Sequence, residues 1–360
     1  MDYKLDLRNF WLKNEQSLRE GRTSKRVPIG IALDGDWICE YLQLDNSKYY
    51  SDYAYQQKHR LKCSAITEKE LGISIKPAID FGVVMDASIY GGKVNYRHNA
   101  TPTLDPVVNS PEEIDHLVEK MEDVDLLNQG LVPKFLEWRE RLKADYDIDV
   151  AYGWGIKGCA TTLGQICSIT NFLTWIMIYP DQIKRLVRCW VDTGIRYMQV
   201  MREVTGYPAE RSGFSLASDV TGMLSPSLYR DFMMEAEREI FEKFAPGEND
   251  VRHYHADFHM IQHLDALREI GVNEVNVDPY IQVPDILEKM PDVTIRGQVP
   301  PLDVLLYGKP EDVIDCVKRD IEQAGNTGQL IVSTVGSICP GTSFENLRAI
   351  CYAVEKYGNR

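Results

Sequence analysis

From Asp149 to its C-terminus the chain alternates short apolar strands with amphipathic helices, and no other feature limits the fold as tightly. AYG (151–153) ends one strand, and a glycine-spaced segment leads to a long helix predicted over Asp181–Val204. GFSLAS (213–218) is the next strand, followed by a helix that Ser225-Pro226 caps and that runs to about Phe244. A histidine-bearing strand and a helix to Ile270 come next. EVNVD (274–278), VTIRG (293–297) and QLIVST (329–334) each precede a helical stretch, the last opened by the capping box Thr342-Ser-Phe-Glu345. Strict alternation calls for a parallel sheet with helices outside it. About eight strands, counting those upstream, fit a (βα)8 TIM-type barrel. A doubly wound open sheet is the alternative, but no GxGxxG follows a strand and no GxxxxGK[ST] occurs.

Upstream of Asp149 the pattern is less regular. Met1–Glu20 reads as a polar helix, VPIGIAL (27–33) as a strand leading to Asp34-Gly-Asp36, and Tyr49–Cys63 as helical. Lys76–Met85 and Gly91–Tyr96 read as the strands of a hairpin around Tyr90-Gly-Gly. Ser110-Pro-Glu-Glu113 is a capping box opening a helix to Met121. The expectation is one domain over residues 1–360, with 1–75 as an N-terminal elaboration of the barrel.

Composition excludes some function classes. A net charge of −14, from 40 basic and 54 acidic side chains, argues against a nucleic-acid groove or an anionic membrane surface. The start MDYKLDLRNFW has no apolar signal region and no later run is long enough to span a bilayer. Eight cysteines without a CxxC pair read as reduced thiols in a cytoplasmic protein.

The chemistry concentrates in VRHYHADFHMIQHL (251–264), which holds four of the seven histidines. On a strand, residues two apart share a face, so His253, His255 and Asp257 would point together at its C-terminal end. His259 and His263, four apart, would share a face of the following helix. Converging imidazole and carboxylate suit a metal site or acid–base catalysis. Any one histidine is more often a helix cap or a partner for a buried carbonyl, and strand-end aspartates often cap the next helix. A barrel carries its catalytic groups just after the strands. Those positions hold Asp34 and Asp36, Tyr152–Trp154, Asp219, His255 and Asp257, Asp278, Arg296 and Gln298, and Gly336–Cys339.

The order of these motifs resembles the uroporphyrinogen decarboxylase superfamily, and more closely its corrinoid-dependent methyltransferase branch. The likeness runs from about Val27 to the C-terminus. It rests on the glycine-rich turn Gly153–Gly158, Asp219 with LSPSLYRDF (224–232), HADFHMIQHLDALREIG (255–271), VNVD (275–278), IRGQVPPLDVLLYGKPEDV (295–313) and STVGSICPGTSFENLRA (333–349). The decarboxylases' arginine-rich N-terminal signature has no counterpart near Pro28–Glu40, where Asp34 and Asp36 stand. In the coenzyme M type of methyltransferase, zinc is held by His-x-Cys and a distant Cys. Here His255 matches the His, Asp257 replaces the first Cys, Gly336 stands at the second, Cys339 follows three residues later, and Asp278 matches an acidic residue near the metal.

The resemblance therefore implies Zn2+ on His255, Asp257, Cys339 and Asp278. Carboxylate in place of thiolate makes a harder, more Lewis-acidic ion that favours oxygen. The expected reaction is O-demethylation: a methyl group leaves a methoxylated aromatic donor for cob(I)alamin carried by a partner corrinoid protein. His255, Asp257, His259 and Asp219 are the expected catalytic residues. Tyr152, Trp154, Asp34, Arg296 and Gln298 are expected to contact the donor, with Tyr280 as a further ring neighbour. Two other reactions fit the superfamily: methyl transfer from methylcobalamin to a thiol, and decarboxylation, for which Lys157 and Arg296 would supply positive charge. A metal-free form would use Asp257 or His255 as the proton donor.

Overall fold

The computed structural model describes residues 5–360, and its contacts divide the chain into two units. One, the terminal unit, comprises Met1–Lys76 and Asn273–Arg360; the other, the central unit, is Pro77–Val272.

In the terminal unit the chain begins with α1 (Leu7–Glu20), capped by the Asp6 carboxylate on the Asn9 N–H. Residues 1–4 of the predicted helix lie outside the described residues. The segment read as strand 27–33 forms a single parallel bridge, Ile29 to Val332, with the Gly30 N–H donating to Val332 O at 2.8 Å. Helices α2 (Gly35–Leu42) and α3 (Tyr53–Leu71) follow.

The central unit opens with a correction. Lys76–Met85 forms no strand; the hairpin lies downstream, pairing β1 (Val94–Arg97) with β2 (Ala100–Leu104). Its turn is His98-Asn99, an asparagine turn that the glycine pair at 91–92 obscured. Helices α4 (Glu113–Glu122) and α5 (Val132–Tyr146) lead to β3 (Gly155–Lys157), α6 (Cys159–Cys167) and the long α7 (Pro180–Thr205). Helix α7 buries Ile183, Leu186, Val187, Trp190, Tyr197, Met198 and Met201, the three-and-four spacing of a one-sided helix. Strand β4 (Phe214–Ala217), helix α8 (Met234–Phe244), β5 (Arg252–Ala256) and α9 (Leu264–Glu269) complete the unit.

Two sequence expectations change here. The strand expected at 151–153 begins instead at Gly155, so Tyr152 and Trp154 precede β3 rather than follow it. The glycines are not turn formers. A methyl on Gly155 would run into the Ser215 carbonyl, and one on Gly158 would meet Glu237 Oε1 at 2.9 Å. They permit close approach of neighbouring chain. Secondly, residues 257–263 are irregular, so His259 and His263 share no helix face: His259 is exposed and His263 is buried.

The chain then re-enters the terminal unit with β6 (Glu274–Val277), α10 (Val283–Lys289), β7 (Thr294–Val299), α11 (Pro310–Ala324), β8 (Leu330–Thr334) and α12 (Phe344–Tyr357). Strands β6, β7 and β8 pair in parallel, as do β3, β4 and β5 in the central unit. Six parallel strands among the described residues match the six strand–helix units read after Asp149.

Register decides which side chains meet. Lys157 pairs with Ala217 and Ala217 with His255; one row back, Gly155 pairs with Ser215 and Ser215 with His253. The intervening Ile156, Leu216 and Tyr254 point to the other face and are buried. Replacing Gly155 by alanine is therefore expected to cost roughly 2–4 kcal/mol, because backbone rather than a flexible side chain must move. Urea unfolding checks this; an unchanged midpoint would show that β3 and β4 tolerate wider spacing.

Candidate active site

The row Lys157–Ala217–His255 ends three parallel strands, and the small Ala217 leaves the space between the two functional side chains open. Just beyond β4, Ser218 is buried and Asp219 starts a tight turn. Asp219 Oδ1 accepts the Asp257 N–H at 2.8 Å, tying the two strand ends together. His255 Nε2 lies 3.4 Å from Asp257 Oδ1 and 3.8 Å from Asp219 Oδ1. The imidazole is 22% exposed, the Asp257 carboxylate 52%. The polar ends therefore face open space while their backbones are fixed in the sheet.

Burial pushes the Asp257 carboxyl above the usual range, and the Asp219 charge pushes it further; His255 and Lys157 pull it back. Such a group keeps a proton more readily than an ordinary aspartate. One nitrogen and two carboxylate oxygens of Asp219, His255 and Asp257 lie within 4.8 Å of one another. A tetrahedral ion with ligands at about 2.1 Å sets its ligand atoms roughly 3.4 Å apart, so these three can hold a divalent cation. Asp219, read from the sequence as catalytic, is thus equally suited to be a ligand.

Next to the row lies a cavity of about 430 Å3 in which Lys157 and Ala217 form part of the wall, with Phe81, Phe135, Tyr152 and Trp154 supplying aromatic surface. Asp86, also in this wall, accepts the Tyr152 hydroxyl and, at 2.7 Å, the Lys157 N–H. Burial raises its pKa, opposed by these two bonds and by the Lys157 charge. The Arg211 guanidinium covers the Trp154 ring at 5.3 Å.

The remaining predicted residues have other work. His259 is exposed and its carbonyl accepts the Gln262 amide. His263 Nε2 lies 3.1 Å from Leu224 O, a histidine serving a buried carbonyl. In the terminal unit Asp34 caps α2, accepting the Trp37 N–H at 3.1 Å. Arg296 pairs with Glu274 at 2.7 Å. Gln298 is buried and donates its amide to the carbonyls of Val277, Asp278 and Ile281. Asp278, at φ 37°, is also buried and accepts the Tyr280 N–H at 3.0 Å. Cys339 is half-buried, its carbonyl accepting the Thr342 N–H. Exposed Tyr280 donates to Asp303 at 2.6 Å.

Two residues that the sequence did not single out stand out in the structure. Asp86 is one. The other is Glu237, fully buried on the apolar stripe of α8 beside Met233, Ile240, Phe241 and Phe244. Its Oε2 accepts Tyr229 Oη–H at 3.0 Å; its Oε1 accepts the Cys159 N–H at 3.2 Å and Tyr254 Oη–H at 3.4 Å. Burial raises its pKa to about 7 in spite of these bonds. A lone glutamate at a helical spacing otherwise filled by apolar residues is the signal that would have marked it.

The uroporphyrinogen decarboxylase (URO-D) family model matches residues 16–357 of the chain. No curated protein matches it. Among solved structures, a methyltransferase from Methanosarcina mazei aligns with a TM-score of 0.72 at 17% identity, over 96% of this chain and 98% of that one. A B12-independent methionine synthase from Shewanella sp. W3-18-1, in complex with selenomethionine, gives 0.44 at 12% identity, over 83% and 85%. The fold is the α/β barrel of TIM type that the strand–helix alternation led one to expect.

The buried carboxyl has a measurable consequence for stability. In the unfolded chain Glu237 loses its proton near the ordinary glutamate pKa; in the folded protein it keeps it to about pH 7. The folded state is therefore favoured fully below the unfolded value and loses that advantage as pH rises through 7. At about 1.4 kcal/mol per tenfold change in proton affinity, the loss is roughly 3 kcal/mol. The stability difference between wild type and Glu237→Gln is expected to shift by that amount from pH 4.5 to pH 7.5, in the variant's favour. A difference independent of pH would show that Glu237 titrates as an exposed residue does.

Proposed function

The chain belongs to the uroporphyrinogen decarboxylase family, and we propose that it is a corrinoid-dependent methyltransferase, taking a methyl group from a methoxylated aromatic donor and passing it to the cob(I)alamin of a partner protein. The observation that carries this reading is the meeting of Asp219, His255 and Asp257 at strand ends beside an aromatic-walled cavity. The shared fold of the Methanosarcina mazei methyltransferase points the same way. The cytoplasm is the proposed location, in keeping with eight cysteines that form no disulfide among the described residues; no described helix is long and apolar enough to cross a membrane.

The chain's own groups divide the work. Phe81, Phe135, Tyr152 and Trp154 would flank the donor ring, holding its methyl carbon in line with the incoming cobalt. As the carbon–oxygen bond breaks, its electron pair stays on the phenolate oxygen, and the acceptor's pair forms the new bond to the methyl carbon. In a metal-free form Asp257, whose carboxyl is pushed above the usual range, would protonate that oxygen, and Lys157 would offset the charge that develops on it. A phenolate is a far better leaving group than an alkoxide, the reference phenol pKa being about 10. A zinc ion held by His255 and the ionised carboxylates of Asp219 and Asp257 would instead supply Lewis acidity toward the departing oxygen. Decarboxylation of a polycarboxylate is the weaker reading, because Lys157 is the only cationic side chain in the cavity wall among the described residues.

Incubating the protein with 4-methoxybenzoate and a cob(I)alamin-loaded corrinoid protein is expected to consume the cobalt(I) absorbance. Asp257→Asn and His255→Ala are each expected to slow it at least a hundredfold. Persistence of the signal with every methoxylated donor tried would refute demethylation. Full activity in protein shown to be free of metal would leave Asp257 or His255 as the proton donor.

A further inference from the structure

Glu237 is separated from the reacting cluster by the thickness of the strand layer. The cluster faces one side of β5, through His255, while Tyr254 on the opposite face reaches Glu237. An apolar side chain would satisfy the stripe of α8 at this position, and a buried carboxylate costs free energy unless its oxygens are fully used. They are used by donors arriving from three separate segments. Cys159 stands two residues after Lys157, Tyr254 one residue before His255, and Tyr229 at the head of the helical stretch leading into α8.

The connection extends to Asp219. Tyr254 Oη lies 3.0 Å from Thr221 Oγ1, and Thr221 Oγ1 lies 2.9 Å from Ser218 Oγ. Ser218 and Thr221 bracket Asp219, and the Ser218 N–H donates to His255 O at 2.8 Å. The Val220 N–H donates to Thr161 Oγ1 in α6 at 3.1 Å, fixing the same turn from the side of β3. All of these hydroxyls are buried, so water does not compete for them.

We propose that Glu237 is a positioning residue for the cluster: by joining the end of β3, the face of β5 behind His255 and the turn that carries Asp219, it sets the distance between Asp219 and the His255 imidazole. The inference rests on reading Asp219, His255 and Asp257 as the reacting groups, and it concerns their geometry alone. The single oxygen Oε1 serves both the Cys159 N–H and the Tyr254 Oη–H, so the side chain that breaks the connection is one of similar length without that acceptor, methionine, rather than glutamine, which keeps it.

Two measurements on full-length protein test it, neither of which depends on methyl transfer. The first is the imidazole 15N resonances of His255 in metal-free protein at one fixed pH, assigned by their loss in His255→Gln. The second is Co2+ titration followed by its visible ligand-field absorption. Glu237→Met and Tyr254→Phe are each expected to displace the His255 resonances and weaken Co2+ binding about tenfold, the double variant being no worse than the weaker single. Tyr229→Phe removes a bond of the same kind from Oε2, on the branch that does not lead to Asp219, and is expected to leave the His255 resonances unmoved. If Glu237→Met does not fold, Tyr254→Phe decides. Wild-type resonances in a folded Glu237→Met or Tyr254→Phe protein would overturn the proposal, as would an equal displacement in Tyr229→Phe. Failure of the wild type to take up Co2+ would count against the metal reading only; the resonances would still decide for or against Glu237.

Discussion

Parallel pairing of β3, β4 and β5 is the constraint on which the site depends. It sets Lys157, Ala217 and His255 in one row. Parallel strands run the same way, so every segment that leaves them starts at the same end. Asp219 and Asp257 leave β4 and β5 there, and one backbone bond between them closes the cluster. The close approach that brings the strands together relies on glycine at 155 and 158, where side-chain carbon would meet the Ser215 backbone and the Glu237 carboxylate.

Opposite faces of the same strands have opposite chemistry. One carries groups whose charge must remain available: an imidazole, two carboxylates and an ammonium. The other packs Ile156 and Leu216 against helices, yet admits Tyr254 and, beneath it, a fully buried glutamate. Low polarity around Glu237 strengthens each hydrogen bond it accepts and makes each one costly to lose. Rigidity in the reacting cluster thus comes from the side of the sheet that substrate never touches. The proposed reaction, which must align a methyl group with a nucleophile on another protein, would benefit from that arrangement, since misalignment forfeits much of the gain from orientation.

Much of the architecture was legible in the sequence because period and length speak for themselves. Helix α7 lies within a residue of its predicted span at each end, and five of the six strands after Asp149 fall where the alternation puts them, β3 alone starting beyond the expected end at Gly153. The errors share a cause: glycine and histidine were read by local habit. Gly155 looked like a turn but is strand, because its lack of a side chain serves a neighbour far along the chain. His259 and His263 looked like a helical pair, but residues 257–263 are irregular and His263 spends its ring on a carbonyl of another segment. The pairing of His255 with Asp257 was legible from alternation alone. The part of Asp219 followed from its position after a strand, but its bond to Asp257 was not visible. Asp86 and Glu237 went unmarked because a single acid in an apolar run gains meaning only from the donors that surround it in space.

The central claim is that Asp219, His255 and Asp257 act as one site able to hold a cation against a departing oxygen. X-ray absorption at the zinc edge of zinc-loaded protein tests it most directly. The account requires nitrogen or oxygen ligands at about 2.0–2.2 Å with the outer-shell signature of an imidazole, and it requires that signature to vanish when His255 is replaced by alanine. Zinc held with the same spectrum in the alanine variant would contradict it.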